Sequence, residues 1–101
     1  MNFEWDENKN ETNIIKHGFD FVDAPRIFRM PMLFWLDDRE DYGEDRWVAL
    51  GMLDGRAVVV VYTEPDENTV HIISLRKAYP HERRRYSRYL KDRLGSCRWD
   101  V

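Results

Sequence analysis

The sequence predicts an α+β fold, with helices packed on one face of an antiparallel sheet. Three observations carry this. Apolar, β-branched runs follow one another between residues 32 and 78. Helix start and stop signals lie outside those runs. Asp54-Gly55, between two of the runs, is a strong hairpin signal. The expected order is helix, helix, four strands, helix, in one domain over residues 1–101 with a tail from residue 95.

Asp6 suits an N-cap with Glu7 in the first turn, and Gly18 after Lys16-His17 suits a left-handed helix end. That predicts a first helix over residues 6–17. Its middle, Asn8 to Asn13, is polar and of weak propensity, so packing must hold it, beginning with Phe3 and Trp5. His17 at the helix end is read as structural. A second, short helix is expected over residues 21–28. Pro25 fits its first turn if Asp23 is the cap and costs a hydrogen bond if Asp20 is, so a bent or late-starting helix is expected.

Met32 to Leu36 reads as a short strand. The following stretch, residues 37–46, holds six acids and two arginines and is read as an exposed loop. Trp47 to Leu53 and Arg56 to Thr63 are strands joined by Asp54-Gly55. Val58-Val59-Val60-Val61 does not alternate, so both its faces are covered and the strand is central. A turn is expected over residues 64–68.

The next stretch organises the chain. Val70 to Ala78 reads as a strand whose alternation sends Val70, Ile72, Ser74 and Arg76 to one face and His71, Ile73, Leu75 and Lys77 to the other. A helix begins at Pro80, a favoured first helical position. Tyr86, Tyr89, Leu90 and Leu94 form its apolar stripe, and Gly95 ends it. Trp99 in the tail is expected to dock on the domain.

Composition narrows the function classes. Hydrophobic content of 43% and charged content of 35% suit a globular domain. No apolar run is long enough to span a bilayer, the first six residues carry no secretory signal, and the single Cys97 fits a reducing cytoplasm. The net charge of -3 divides unevenly: residues 1–70 carry -9 and residues 71–101 carry +6. Either the C-terminal part meets an anionic partner or the two parts neutralise each other within the fold.

His17, His71 and His81 lack the spacing of a zinc site, and no phosphate loop or nucleophile elbow is present. No metal or cofactor is expected. What remains is the basic strand–helix junction. Arg76, Lys77, Arg83 and Arg84 can hold a phosphodiester backbone. With His71 and Tyr86 added, metal-free RNA cleavage is chemically possible, because histidine titrates near neutrality and cations stabilise a phosphorane. Glu82 can fix an arginine. The same residues equally suit a solvated basic helix face with Tyr86 in the core.

A set of short motifs then adds a resemblance. They are Phe3-x-Trp5-Asp6-x-x-Lys9, Asn13-x-x-Lys16-His17-Gly18, Phe21 and Ala24, Glu44-x-Arg46-Trp47, Gly51, Gly55-Arg56 and Val61-Tyr62-Thr63. Ile72-Ile73-Ser74-x-Arg76-Lys77-Ala78 and Glu82-Arg83 with Tyr86 complete them. In this order and spacing the chain resembles the BrnT toxins of bacterial type II toxin–antitoxin pairs, from Phe3 to Tyr86. The resemblance implies a RelE-like fold, with helices on one face of an antiparallel sheet and the other face open to RNA. It implies a ribonuclease that halts translation. It also implies a BrnA-like ribbon-helix-helix antitoxin in a 2:2 complex that represses its own operon, so operator DNA is met only through the antitoxin.

Arg76 matches the family pattern and is the first choice as transition-state stabiliser. Arg46 and Arg56 match as substrate binders, although Arg46 with Glu44 also suits a surface ion pair. Two positions depart from the pattern. Pro65 and His71 stand where the family usually has arginine. Either His71 supplies an acid or base that typical members lack, or the chain is a catalytically inactive relative that binds the antitoxin and tunes repression.

Overall fold

The computed structural model describes residues 1–39 and 43–94. In chain order the elements are β1 (Asn2–Trp5), α1 (Glu7–His17), a 3-10 turn (Phe21–Asp23) running into α2 (Ala24–Ile27), β2 (Leu33–Asp37), β3 (Arg46–Leu53), β4 (Arg56–Asp66), β5 (Thr69–Lys77) and α3 (Pro80–Leu94). The strands form one sheet in the order β1-β5-β4-β3-β2. β1 runs parallel to β5 and the other pairs are antiparallel. The sheet is therefore mixed and five-stranded, not four-stranded and antiparallel.

Local chemistry explains most boundaries. The Asp6 side chain accepts from Asn8 N–H and Lys9 N–H and starts α1. Gly18, at φ 76°, donates its N–H to Ile14 and ends it. The second helix is bent and has one side-chain cap, with none from Asp23. Asp20 caps the 3-10 turn through Val22 N–H, and α2 restarts at Ala24 with Pro25 in its first turn. Asp54 and Gly55 both take positive φ, as a tight hairpin turn requires. β4 continues through Glu64 and Pro65 to Asp66, and its pairing with β5 is irregular between Thr63 and Asp66. That irregularity tolerates the missing N–H of Pro65.

β4 is central, as its valines imply, and its residues alternate between two cores. Val58 and Val60 join Phe19, Phe21, Ala24, Ile27, Ala49, Ile72 and Leu75, with Phe3 and Trp5 packed against them. Val59 joins Val48, Leu50, Ala78 and Tyr86 on the opposite face. So α2 and α3 cover opposite faces of the sheet, which corrects the expectation of helices on one face only. Gly51 lets α2 approach closely, since a Cβ there would sit 2.5 Å from Ile27 Cγ2.

The polar middle of α1 is held by hydrogen bonds. β1 pairs only with Thr69 to Ile72, so the rest of β5 lacks a strand on that side. The buried Asn13 amide takes the strand's place. It accepts from Leu75 N–H and donates to Leu75 O and Phe19 O. Asn10 accepts from Phe21 N–H and donates to Asp20. Two further expectations are corrected. Asp37, read as exposed loop, lies in β2 with its side chain only 2% exposed. The simple alternation of β5 breaks at a bulge: Val61 pairs Ser74, but Tyr62 pairs Ile72. The extra residue turns Leu75 to the same core as Ile72 and puts His71, Ser74 and Arg76 on one face. Glu40 to Tyr42 of the acidic loop, and Gly95, Cys97 and Trp99 of the tail, lie outside the described residues.

Candidate active site

The register of the sheet stacks three rows of side chains on the face that α3 partly covers. The first row crosses all five strands as Glu4, His71, Thr63, Arg46 and Asp37. The second is Ser74, Val61, Val48 and Trp35, and the third is Arg76, Val59, Leu50 and Leu33. Successive rows are about 6.7 Å apart, two residues along β2, β3 and β4, while on β5 the bulge puts three residues between His71 and Ser74. α3 packs Tyr86 over Val59 and Leu50, and sends Arg85 over the Trp35 ring at 4.3 Å. The second row, with Val59 of the third, is the floor of a groove of about 350 Å³ walled by Arg76 and Glu82, and His71, Thr63 and Arg46 lie one row beyond that floor. Asp37, Asp38 and Arg39 form another wall.

Arg76 is the best-fixed cation of this groove. Its Nη1 donates to Glu82 Oε1 at 2.8 Å and to Lys77 O at 3.1 Å, and its Nη2 donates to Glu82 Oε2 at 3.0 Å. The guanidinium also lies 4.3 Å over the Tyr79 ring. Glu82 in turn accepts from Tyr79 N–H at 2.8 Å. The hydrogen bonds it donates to Glu82 hold Arg76 above its ordinary range, while burial and the nearby Arg39 charge act the other way. Burial is the largest influence on Glu82 and would raise its pKa. The hydrogen bonds from Arg76 and Tyr79, with the charges of Arg76 and His81, outweigh it and hold the carboxyl below its usual 4.5. Glu82 is therefore an ionised anchor for Arg76, as the sequence suggested. The bonds to Glu82 and Lys77 engage three of the five N–H groups of the guanidinium.

His71 faces the same side. Its Nδ1 donates to Glu4 Oε2 at 2.8 Å across the β1–β5 pair. A carboxylate only accepts, so the proton sits on Nδ1 and Nε2 is left as the reactive nitrogen. A phosphate over Val61 and Ser74 has Arg76 one row to one side and His71 and Arg46 one row to the other. Arg39 adds a cation from the β2 side, where its Nε and Nη2 each donate to Asp37 at 2.9 Å.

Other predicted residues fall elsewhere. Lys77 pairs Val58 and projects from the opposite face to Arg76, with only its carbonyl near the guanidinium. Arg56 starts β4, at the far end from His71, and lies 5.2 Å over the Phe19 ring. The structure brings neither side chain to the groove. Tyr86 is corrected from an RNA-binding residue to a core residue. It is 2% exposed, and its hydroxyl donates to Pro31 O at 2.6 Å. Arg83 and Arg84 are exposed on α3, and Arg83 donates to Ala78 O. Sequence reasoning missed Arg39, Trp35, Tyr79, Arg85 and Glu4. Tyr79 alone carried a usable signal, an aromatic residue just before the helix-opening Pro80. Among the described residues no three His, Cys, Asp or Glu side chains converge as a metal site would need. No helix among them is long and apolar enough to cross a membrane.

Residues 5–82 match the family described as "Ribonuclease toxin, BrnT, of type II toxin-antitoxin system". Among solved structures, the 1.1 Å crystal structure of the Brucella abortus ribonuclease toxin BrnT is similar to this chain. Its TM-score is 0.62 at 31% sequence identity, covering 78% of this chain and 97% of that one. No curated protein matches the chain.

Proposed function

The chain belongs to the BrnT family of ribonuclease toxins of type II toxin–antitoxin systems, and we propose that it is itself an endoribonuclease that blocks translation by cleaving RNA without a metal ion. The observation that carries this reading is the groove with the fixed Arg76 in its wall and with His71 and Arg46 on the next row of the sheet beyond its floor. A single RNA strand lies along it with its scissile phosphate above Val61 and Ser74. The exposed Tyr79, beside Arg76, is an aromatic contact for a neighbouring base.

His71 Nε2 takes the proton of the 2′-hydroxyl as that oxygen attacks the adjacent phosphorus. Arg76 stabilises the charge that develops on the phosphorane, with Arg39 and Arg46 as further cations. The bond to the 5′-oxygen then breaks, and that oxygen leaves with a proton from water or from the protonated His71. The products are a 2′,3′-cyclic phosphate and a 5′-hydroxyl. The family implies a protein antitoxin. We take it to be a BrnA-like ribbon-helix-helix protein in a 2:2 complex, through which alone the toxin meets operator DNA.

A second reading has its own support. Glu82 balances the charge of Arg76, and Pro65 stands where the family pattern has arginine, so a catalytically inactive antitoxin-binding co-repressor remains the alternative. Induced expression in a bacterial host separates the two. Growth arrest relieved by co-expression of the neighbouring open reading frame supports the toxin. Normal growth with soluble, folded protein supports the co-repressor.

A further inference from the structure

A second cationic groove lies around the edge of β5 from the first. Between Ile73 and Ser74 of the β5 bulge and the facing side of α1 is a space of about 340 Å³, into which Lys9, Thr12, Lys16 and His17 also face. It exists because β1 stops pairing at Ile72 and α1, tied on by Asn13, borders the rest of the strand. None of its lining residues is acidic. That is unexpected in a segment, residues 1–70, whose net charge is -9. Lys9 and Lys16 are seven residues apart, two turns along one helix face, or about 10 Å.

Ser74 lines both this groove and the one holding Arg76, so the two share a wall at the bulge. Electrostatics point the same way. The His17 pKa is lowered below its usual 6.5 by burial first, then by the positive charges of Lys16 and Arg76. At neutral pH the imidazole then offers hydrogen bonds rather than charge, and the two lysines supply the charge.

We propose that this groove is a second binding site for the phosphate backbone of single-stranded RNA, taking the nucleotides that flank the scissile phosphate. The inference rests on the ribonuclease reading and adds a path for the strand: over Val61 and Ser74, across the bulge, and along α1 past His17, Lys16 and Lys9. The spacing of the lysines places two phosphate contacts on α1, and neither residue belongs to the cleavage machinery described above.

The test uses the full chain and a fluorescent single-stranded 2′-O-methyl oligonucleotide, which binds but has no free 2′-hydroxyl to react. Anisotropy is measured over a range of salt for the wild type, Lys9→Ala/Lys16→Ala and Lys9→Arg/Lys16→Arg. The alanine pair lowers the salt slope by about 1.4, from roughly 0.7 per lost phosphate contact, and weakens binding roughly tenfold at moderate salt. The arginine pair keeps both. Circular dichroism of the alanine pair matches the wild type, since both lysines are exposed. A wild type that does not bind the oligonucleotide removes the ribonuclease reading itself. An alanine pair that binds with the wild-type slope overturns this inference alone. If that pair instead loses its antitoxin, the groove holds an acidic protein segment and the RNA assignment is likewise overturned.

Discussion

His71 Nδ1 and Glu4 Oε2 meet at 2.8 Å across two neighbouring parallel strands, β1 and β5. The pairing fixes which imidazole nitrogen carries the proton and leaves the other as the acceptor. In an exposed pair the contact adds little to stability, so its consequence is orientation. His71→Ala is expected to lower the single-turnover cleavage rate about 10²–10⁴-fold. Glu4→Ala is expected to lower it less, by about 10-fold, with unchanged binding of the uncleavable oligonucleotide. In a His71→Ala background, Glu4→Ala costs nothing further. That non-additivity, read from a double-mutant cycle of cleavage rates, distinguishes positioning from a separate effect.

Arg76 and Glu82 make a pH-dependent contribution whose sign follows from the lowered Glu82 pKa. The folded protein prefers the ionised carboxylate. The pair's contribution is therefore complete above the usual carboxylate value of 4.5 and is lost as pH falls through the lowered one. Glu82→Gln is expected to cost on the order of 1–2 kcal/mol at pH 7 and to lose less of its remaining stability on acidification. Thermal melts of both proteins at neutral and acid pH check this. Arg76→Lys keeps the charge but not the bidentate geometry, so cleavage by it is expected to stay well below that of the wild type.

Tyr86 carries the opposite expectation. Its hydroxyl serves the Pro31 carbonyl within the core under α3. Tyr86→Phe is expected to cost about 1 kcal/mol, a fall of about 4–8 °C in melting temperature for a domain of this size. Cleavage rate at a temperature where both proteins are folded is expected to be unchanged.

Asn13 is a buried amide that completes the edge of β5. Removing it leaves Leu75 N–H, Leu75 O and Phe19 O without their partner. Asn13→Ala is expected to destabilise by about 3 kcal/mol. A chemical denaturation curve gives the value. Hydrogen exchange is expected to locate the loss at α1 and the unpaired half of β5.

Much of this fold is legible in the sequence because it is set locally. Asp6 and Gly18 bound α1, Asp54-Gly55 makes the hairpin, and Pro80 opens α3. The four valines of β4 announce a strand covered on both faces. What was not legible depends on distant partners. β1 is four residues that join β5 in parallel, and nothing near Phe3 signals that pairing. The bulge at Ile73-Ser74 depends on the β4 register, and it is what puts His71 on the face of Arg76 rather than opposite it. The site shows the same division. Arg76 and Glu82 lie six residues apart, and the sequence offers Glu82 to fix an arginine without saying which. Glu4 and His71 are 67 residues apart, and Arg39 and Arg85 reach the groove only through the packing of β2 and α3. Tyr86 lay on the apolar stripe of its helix, and that periodicity was the better guide to its place.

The proposed reaction is attack by the 2′-hydroxyl of the RNA itself, assisted by protein groups alone. The direct measurement incubates the purified protein, in a chelator, with a single-stranded RNA and with its 2′-O-methyl twin, and determines the ends of any products. Cleavage of the RNA only is expected, leaving a 2′,3′-cyclic phosphate and a 5′-hydroxyl, with the rate collapsing in Arg76→Ala. Cleavage of both substrates, cleavage abolished by the chelator, or no cleavage by folded protein would contradict it.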